Sequence, residues 1–195
     1  MPRNKAFDPD QALQHAMMLF WEKGYEATSM QDLVERMGIN RFSLYSTFGD
    51  KRQLFLMVLD RYRDLMVTRR FSVVEQPDAS LPEIYSYFQG VITTINAFGL
   101  PGRGCLMTNT MTEPVRSDPV IEDKVIGHLE RLRIGFLQAL SHARNKGELR
   151  PDVDLDAQAR YLAVSVQGLN VYARVCREQR ELQEYVDVVL STLRR

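Results

Sequence analysis

Between Asp8 and Asp50 the chain carries four helix-starting signals, and that crowding admits few folds. Asp8-Pro9 sets an N-cap before a proline at the first helical position. Leu13, Met17 and Phe20 follow at helical spacing, and Gly24 ends the helix. Ser29 with Asp32, or Thr28 with Gln31, forms a capping box for a second helix, whose inner face carries Leu33 and Met37. Gly38 suits the left-handed C-terminal position. Asn40 caps a third helix reaching about Phe48, and Asp50 with Gln53 opens a fourth. Helices this short are marginal alone, so they must pack together.

Two short helices around a Gly-containing turn form the pattern of a DNA-binding helix-turn-helix. At 100° per residue, with Leu44 inward, Thr47 and Phe48 also turn inward. Phe42 and Ser46 point outward, flanked by Ser43 and Tyr45, and no acid stands among them. Hydroxyls on that face suit phosphates and base edges, and apolar groups suit thymine methyls. Arg41 lies in the first turn, where recognition helices present base-reading side chains. Lys51 opens the fourth helix beside free N–H groups, a phosphate site. Any one of these residues could occupy an ordinary surface. The ordered set of Gly38, Asn40, Arg41, Tyr45, Phe48 and Lys51 is what argues for DNA.

The stretch ALQHAMMLFWEKGYEATSMQDLVERMGINRFSLYSTFGDKRQLF (12–55) resembles the N-terminal DNA-binding domain of the tetracycline-repressor family. Phe20, Gly24-Tyr25, Thr28, Leu33, Gly38-Ile39, Leu44-Tyr45, Phe48, Lys51 and Leu54 carry the resemblance. It implies a homodimeric transcription regulator, usually a repressor, released from a palindromic operator by a small ligand. By the family pattern Thr28 and Ser29 would meet phosphates, as would Tyr45 and Lys51. Arg41, Phe42, Ser43 and Ser46 would face bases, with Asn40 and Thr47 completing the candidate DNA contacts. Phe42 stands where many members have a small residue, which bears on base preference, and Val34 where the packing of the two helices usually takes Ala. Asn40 replaces the commoner Ser or Thr cap.

Helical periodicity continues to the end, predicting an all-α protein of about nine helices. The fourth helix should reach about Arg70, and the others should cover 80–98, 105–113, 118–147, 155–178 and 181–194. Residues 1–50 read as the helix-turn-helix domain and 51–195 as a ligand-binding and dimerisation domain, with helix 51–70 connecting them. Zero net charge excludes a polybasic coat on nucleic acid, though not a small reading surface. The N-terminal residues offer no apolar core for a signal peptide. The longest apolar run, Leu54–Leu59, falls far short of the roughly 20 residues of a membrane span. Cys105 and Cys176 make no disulfide framework, so a cytoplasmic protein with reduced thiols is expected.

GRGCLMTNTMTE (102–113) resembles a segment in one branch of the family where a cysteine senses oxidants or electrophiles. With Gly104 as N-cap, Cys105 would sit in a first helical turn beside Arg103, which favours thiolate. Against this, cysteine often only fills space. Candidate pocket residues for an apolar small-molecule effector are Tyr62, Met66, Tyr87, Phe88, Cys105, Met107, Asn109, Phe136 and Gln167, and the same stripe could be plain core. Ala159, Leu162, Ala163, Val166, Leu169 and Asn170, with Val186, Val189, Leu190 and Leu193, repeat at three- and four-residue spacing and are the candidate dimer interface. Intrachain packing would give the same spacing. A dimer is what reading a palindrome requires.

His128 and His142 lie too far apart on one predicted helix to share an ion, so neither metal nor cofactor is expected. No phosphate loop or nucleophile elbow appears, and no enzyme is expected. The reading is a ligand-responsive, DNA-binding homodimer. The alternatives are a redox sensor acting through Cys105, an activator, or a helical carrier or enzyme with a vestigial DNA-binding domain.

Overall fold

The computed structural model describes residues 7–97 and 101–193. Among these it has nine helices and no strand: α1 (Pro9–Lys23), α2 (Met30–Met37), α3 (Arg41–Phe48), α4 (Lys51–Tyr62, continued below), α5 (Leu81–Ala97), α6 (Leu106–Met111), α7 (Pro119–Asn145), α8 (Leu155–Tyr172) and α9 (Gln179–Ser191). The expected ends of the fifth helix at 98 and of the ninth at 194 lie outside the described residues.

The predicted caps form. Asp8 accepts from Asp10 N at 2.9 Å, and Asn40 accepts from Ser43 N at 2.8 Å. Ser29–Asp32 and Asp50–Gln53 are complete capping boxes. Gly38 takes the left-handed conformation (φ 68°) that ends α2 and sets the turn into α3. At α5, Glu83 accepts from Ser80 N at 2.7 Å, while the Ser80 hydroxyl is turned to Glu148.

Two elements differ most from the reading above. The eighth helix stops at Tyr172, not at 178. There the backbone tightens to i→i−3 bonds, and Gly102 N takes the Ala173 carbonyl at 2.7 Å. The fourth helix widens after Tyr62 into a π-helical stretch, Arg63–Thr68, before a last α turn, Arg69–Phe71. Its buried residues explain why. Phe55, Val58, Leu59 and Tyr62 recur every three or four residues, but the next buried position is Val67, five further on. A π turn spans five residues, so the widening keeps Val67 and Phe71 inside.

Two apolar cores result. One joins α1 to α4 around Phe20, Leu33, Leu44 and Phe55, and recruits Leu106, Met107, Val115 and Ile121 from later in the chain. The first half of α4 therefore packs with the residues before it. The other core surrounds an aromatic cluster. Phe136 meets Phe71 edge-on at 5.4 Å and stacks on Phe88 at 6.1 Å, with Tyr87 edge-on to Phe71 at 5.1 Å. This corrects the expectation that Tyr87, Phe88 and Phe136 line an open pocket: they fill the space against one another.

The candidate interface residues need a larger correction. Ala159, Leu162, Ala163, Val166, Leu169, Asn170, Val186, Val189, Leu190 and Leu193 are all buried within one chain. A residue already out of water adds no buried area on association. The apolar residues left exposed on these helices are on the opposite face: Tyr161, Val164 and Val171 on α8, Val175 just beyond it, and Val188 on α9.

α7 buries His128, and burial next to Arg131 pulls the imidazole down to about 4. The unfolded chain therefore takes up a proton below the ordinary pKa of 6.5, where the folded chain does not. Stability is fully present above that value and falls as pH drops toward 4. Urea unfolding at pH 7 and pH 5 should show the loss. His128→Gln should shrink the difference, and an unchanged difference would assign the acid sensitivity elsewhere.

Candidate nucleic-acid interface

α3 presents the outward face the sequence implies. Phe42 is 81% exposed and Tyr45 45% exposed, while Leu44 and Phe48 anchor the helix in the first core. Arg41 and Ser46 are exposed, Ser43 and Thr47 are half-buried, and no residue of α3 is acidic. The Arg41 guanidinium lies 6.0 Å from the Tyr45 ring centre, a loose contact that leaves its donors to the outside.

Several candidates do structural work first. Thr28 is buried, and its hydroxyl donates to the Gly24 carbonyl at 2.6 Å, so it holds the α1–α2 turn instead of facing outward. The Ser29 hydroxyl accepts from Asp32 N and donates to the Asp32 carboxylate. That carboxylate is held well below the usual range by Lys23 and by the N–H and O–H of Ser29. The Asn40 side chain is occupied as the α3 cap. Lys51 is half-buried, its ammonium 4.2 Å from the centre of the Tyr25 ring, and burial lowers its pKa. Tyr25, stacked on Phe20 at 6.0 Å, thus sets the Lys51 position. The sequence reading placed Tyr25 only in the family pattern. An aromatic that steadies a lysine 26 positions away leaves no local signal.

Three contacts tie this unit to residues 104–118. Glu113 accepts from the backbone N–H groups of Tyr25 (2.7 Å) and Glu26 (3.2 Å). Arg52 pairs with Asp118, which also caps α7. That pairing is the main cause that lowers the Asp118 pKa. Trp21 Nε1 donates to the Gly104 carbonyl at 3.2 Å. Gly24 is required where Glu113 docks: its φ is 82°, and a Cβ there would lie 2.8 Å from Glu113 Oε1.

Beside the last of these contacts is a cleft. Trp21 of α1, Tyr62 and Arg70 of α4, Val91, Thr94 and Ile95 of α5, Asn170 of α8 and Arg103-Gly104 line it. It encloses about 10 Å³, room for roughly one water. Of the expected pocket residues only Tyr62 lines it. Cys105 is adjacent, in hydrogen-bonding contact with the Tyr62 hydroxyl, whose pKa burial raises. Met66 is half-buried in the π-helical stretch, and Met107 is in the first core. Asn109 donates to the Arg103 carbonyl, and Gln167 accepts from Thr108. Cys105 is itself the residue preceding α6, one position earlier than expected, and is buried. Arg103 pairs with Glu22 at 3.0 Å. The thiol is therefore buried, and Arg103, which the sequence sets beside it, is paired with an acid of α1.

Residues 12–58 match the family described as bacterial regulatory proteins, tetR family. Residues 80–189 match the tetracyclin repressor-like C-terminal domain. The chain is 37% identical over 196 residues to the uncharacterised HTH-type transcriptional regulator YezE of Bacillus subtilis, spanning 99% of this chain and 100% of that protein. It is 32% identical to the HTH-type transcriptional repressor ComR of Escherichia coli, covering 98% and 90%. Its fold matches that of the regulator CifR, solved as a cysteine mutant with 26 bp operator DNA, with TM-score 0.85, 27% identity and coverage of 97% and 98%. Each of these relatives is described as a transcription regulator. With the α3 surface already described, these likenesses establish that the chain belongs to the tetracycline-repressor family and is a DNA-binding transcription regulator.

Proposed function

We propose that the protein is a cytoplasmic homodimeric repressor whose grip on a palindromic operator is released by a small effector entering the cleft beside Trp21. Residues 1–50 form the reading unit, and 51–195 bind effector and partner. The observation that supports release most directly is the cleft itself. Trp21 and Tyr62 come from the first core, and Val91, Thr94 and Asn170 come from α5 and α8. An occupant must push these two groups apart, and Gly104 holds Trp21 directly.

Pairing of two copies is supported by the exposed strip on α8. Tyr161, Val164, Gly168, Val171 and Val175 follow at spacings of three and four, the repeat of a helix–helix seam, with Val188 of α9 also exposed. Gly168 in the middle leaves room for the Tyr185 hydroxyl of α9, 2.8 Å from where a Cβ would stand. Sedimentation should give twice the 22.5 kDa chain mass. Val164→Arg should shift the protein toward monomer and weaken operator binding at least about tenfold, because one short helix makes few contacts. A wild-type monomer that binds operator fully would refute the dimer.

A further inference from the structure

We propose that the effector is a small organic acid with an apolar body, its carboxylate paired with Arg70. This deepens the release reading and rests on it.

Arg70 stands apart from the other half-buried arginines of α4, Arg69 being exposed. Arg52 pairs with Asp118, Arg61 with Asp10, and Arg63 with Asp60 and Asp64. Arg70 has no carboxylate partner among the described residues. Its guanidinium donates to Thr94 Oγ1 at 2.8 Å, and its charge bears on the buried Tyr62 and Tyr87 hydroxyls. It is half-buried and lines a cleft to which no acidic side chain contributes. Arg103, the other cation there, is already matched by Glu22. The cleft thus holds one uncompensated, partly desolvated guanidinium. A guanidinium offers a planar fork of donors that a carboxylate fits bidentately. One Thr hydroxyl takes one of those donors and supplies no charge.

The rest of the lining defines the other end of the ligand. Trp21, Val91 and Ile95 offer apolar surface next to Arg70. Asn170, whose amide donates to the Val166 carbonyl, also lines the cleft. With room for about one water, an acid must displace part of the lining to enter, and Arg103-Gly104 is the stretch of it outside any helix. Gly104 has φ 68° and packs against the Asn170 carbonyl, and its own carbonyl holds the Trp21 indole. Entry of the acid therefore moves the residue that grips α1.

Trp21 is the chain's single tryptophan, so its fluorescence reads the cleft directly. The intact protein would be titrated with hexanoate and, separately, with 1-hexanol, and each would be added to a mobility shift on the chain's own upstream DNA. Hexanoate should change Trp21 emission saturably and bind at least about tenfold more tightly than the alcohol, as expected for a charge-assisted pair. In Arg70→Met that preference should fall to about one, and in Arg70→Lys, which keeps the charge, it should persist in part. Equal binding of acid and alcohol, or an undiminished preference in Arg70→Met, overturns the proposal, as does failure of hexanoate to bind. Should Arg70→Met not fold, the acid-to-alcohol ratio in wild type and Arg70→Lys decides alone. Saturable acid binding that leaves operator DNA bound would uphold the carboxylate site and refute the release reading instead.

Discussion

Arg41→Ala is expected to weaken operator binding by about 2–6 kcal/mol, at least ~30-fold. A bidentate arginine contact to a base contributes about 1–3 kcal/mol of discrimination, and a symmetric dimer loses it twice. The fold should be indifferent. Arg41 is exposed, and its one described contact is the 6.0 Å approach to Tyr45. Thermal unfolding should therefore match the wild type while binding, read by fluorescence anisotropy, collapses. Repeating the titration at two salt concentrations separates the roles. A base contact lowers affinity for the operator most and leaves the salt slope nearly intact. A phosphate contact lowers all sequences alike and flattens the slope. A loss under about twofold would remove Arg41 from the interface.

The largest effect on stability should come from Phe136→Ala. Its ring is fully buried between Phe71, Tyr87 and Phe88. Truncation removes apolar contact on three sides and leaves a cavity that rings held edge-to-face fill poorly. The expected cost is about 3–5 kcal/mol. For a chain of this size the midpoint of thermal unfolding should fall by roughly 6–20 °C. Phe136→Leu, which keeps most of the volume, should lose less. A fall of only a degree or two in Phe136→Ala would mean that the neighbouring rings collapse into the space, and that the cluster is looser than its geometry indicates.

The N-terminal half was legible in the sequence because its determinants are local. Asp8, Ser29 with Asp32, Asn40, and Asp50 with Gln53 each act within three residues, so a cap and its target are read together. The outward face of α3 follows from one inward residue, Leu44. The far half was harder for two reasons. α8 is apolar on opposite faces, Leu162, Val166 and Leu169 on one and Tyr161, Val164 and Val171 on the other. Spacing alone does not say which stripe belongs to the chain's own core. The contacts that join the two halves also span long separations: Glu113 reaches Tyr25 across 88 residues and Asp118 reaches Arg52 across 66. No spacing rule links such partners. The cleft was missed for a related reason. The residues that define it, Trp21, Arg70 and Thr94, come from three helices and share no motif.

The widened stretch of α4 sets where this chain tolerates a change of length. Tyr62 and Val67 are both buried although five positions separate them, so the segment carries one residue more than an ordinary helix needs there. Deleting one residue between 63 and 66 would let normal turns close while Tyr62, Val67 and Phe71 all kept facing inward. The same deletion between 52 and 60, where turns are already regular, would swing everything downstream by about 100° and carry Phe71 out of its seat. A one-residue gap in related sequences should therefore fall in that short window.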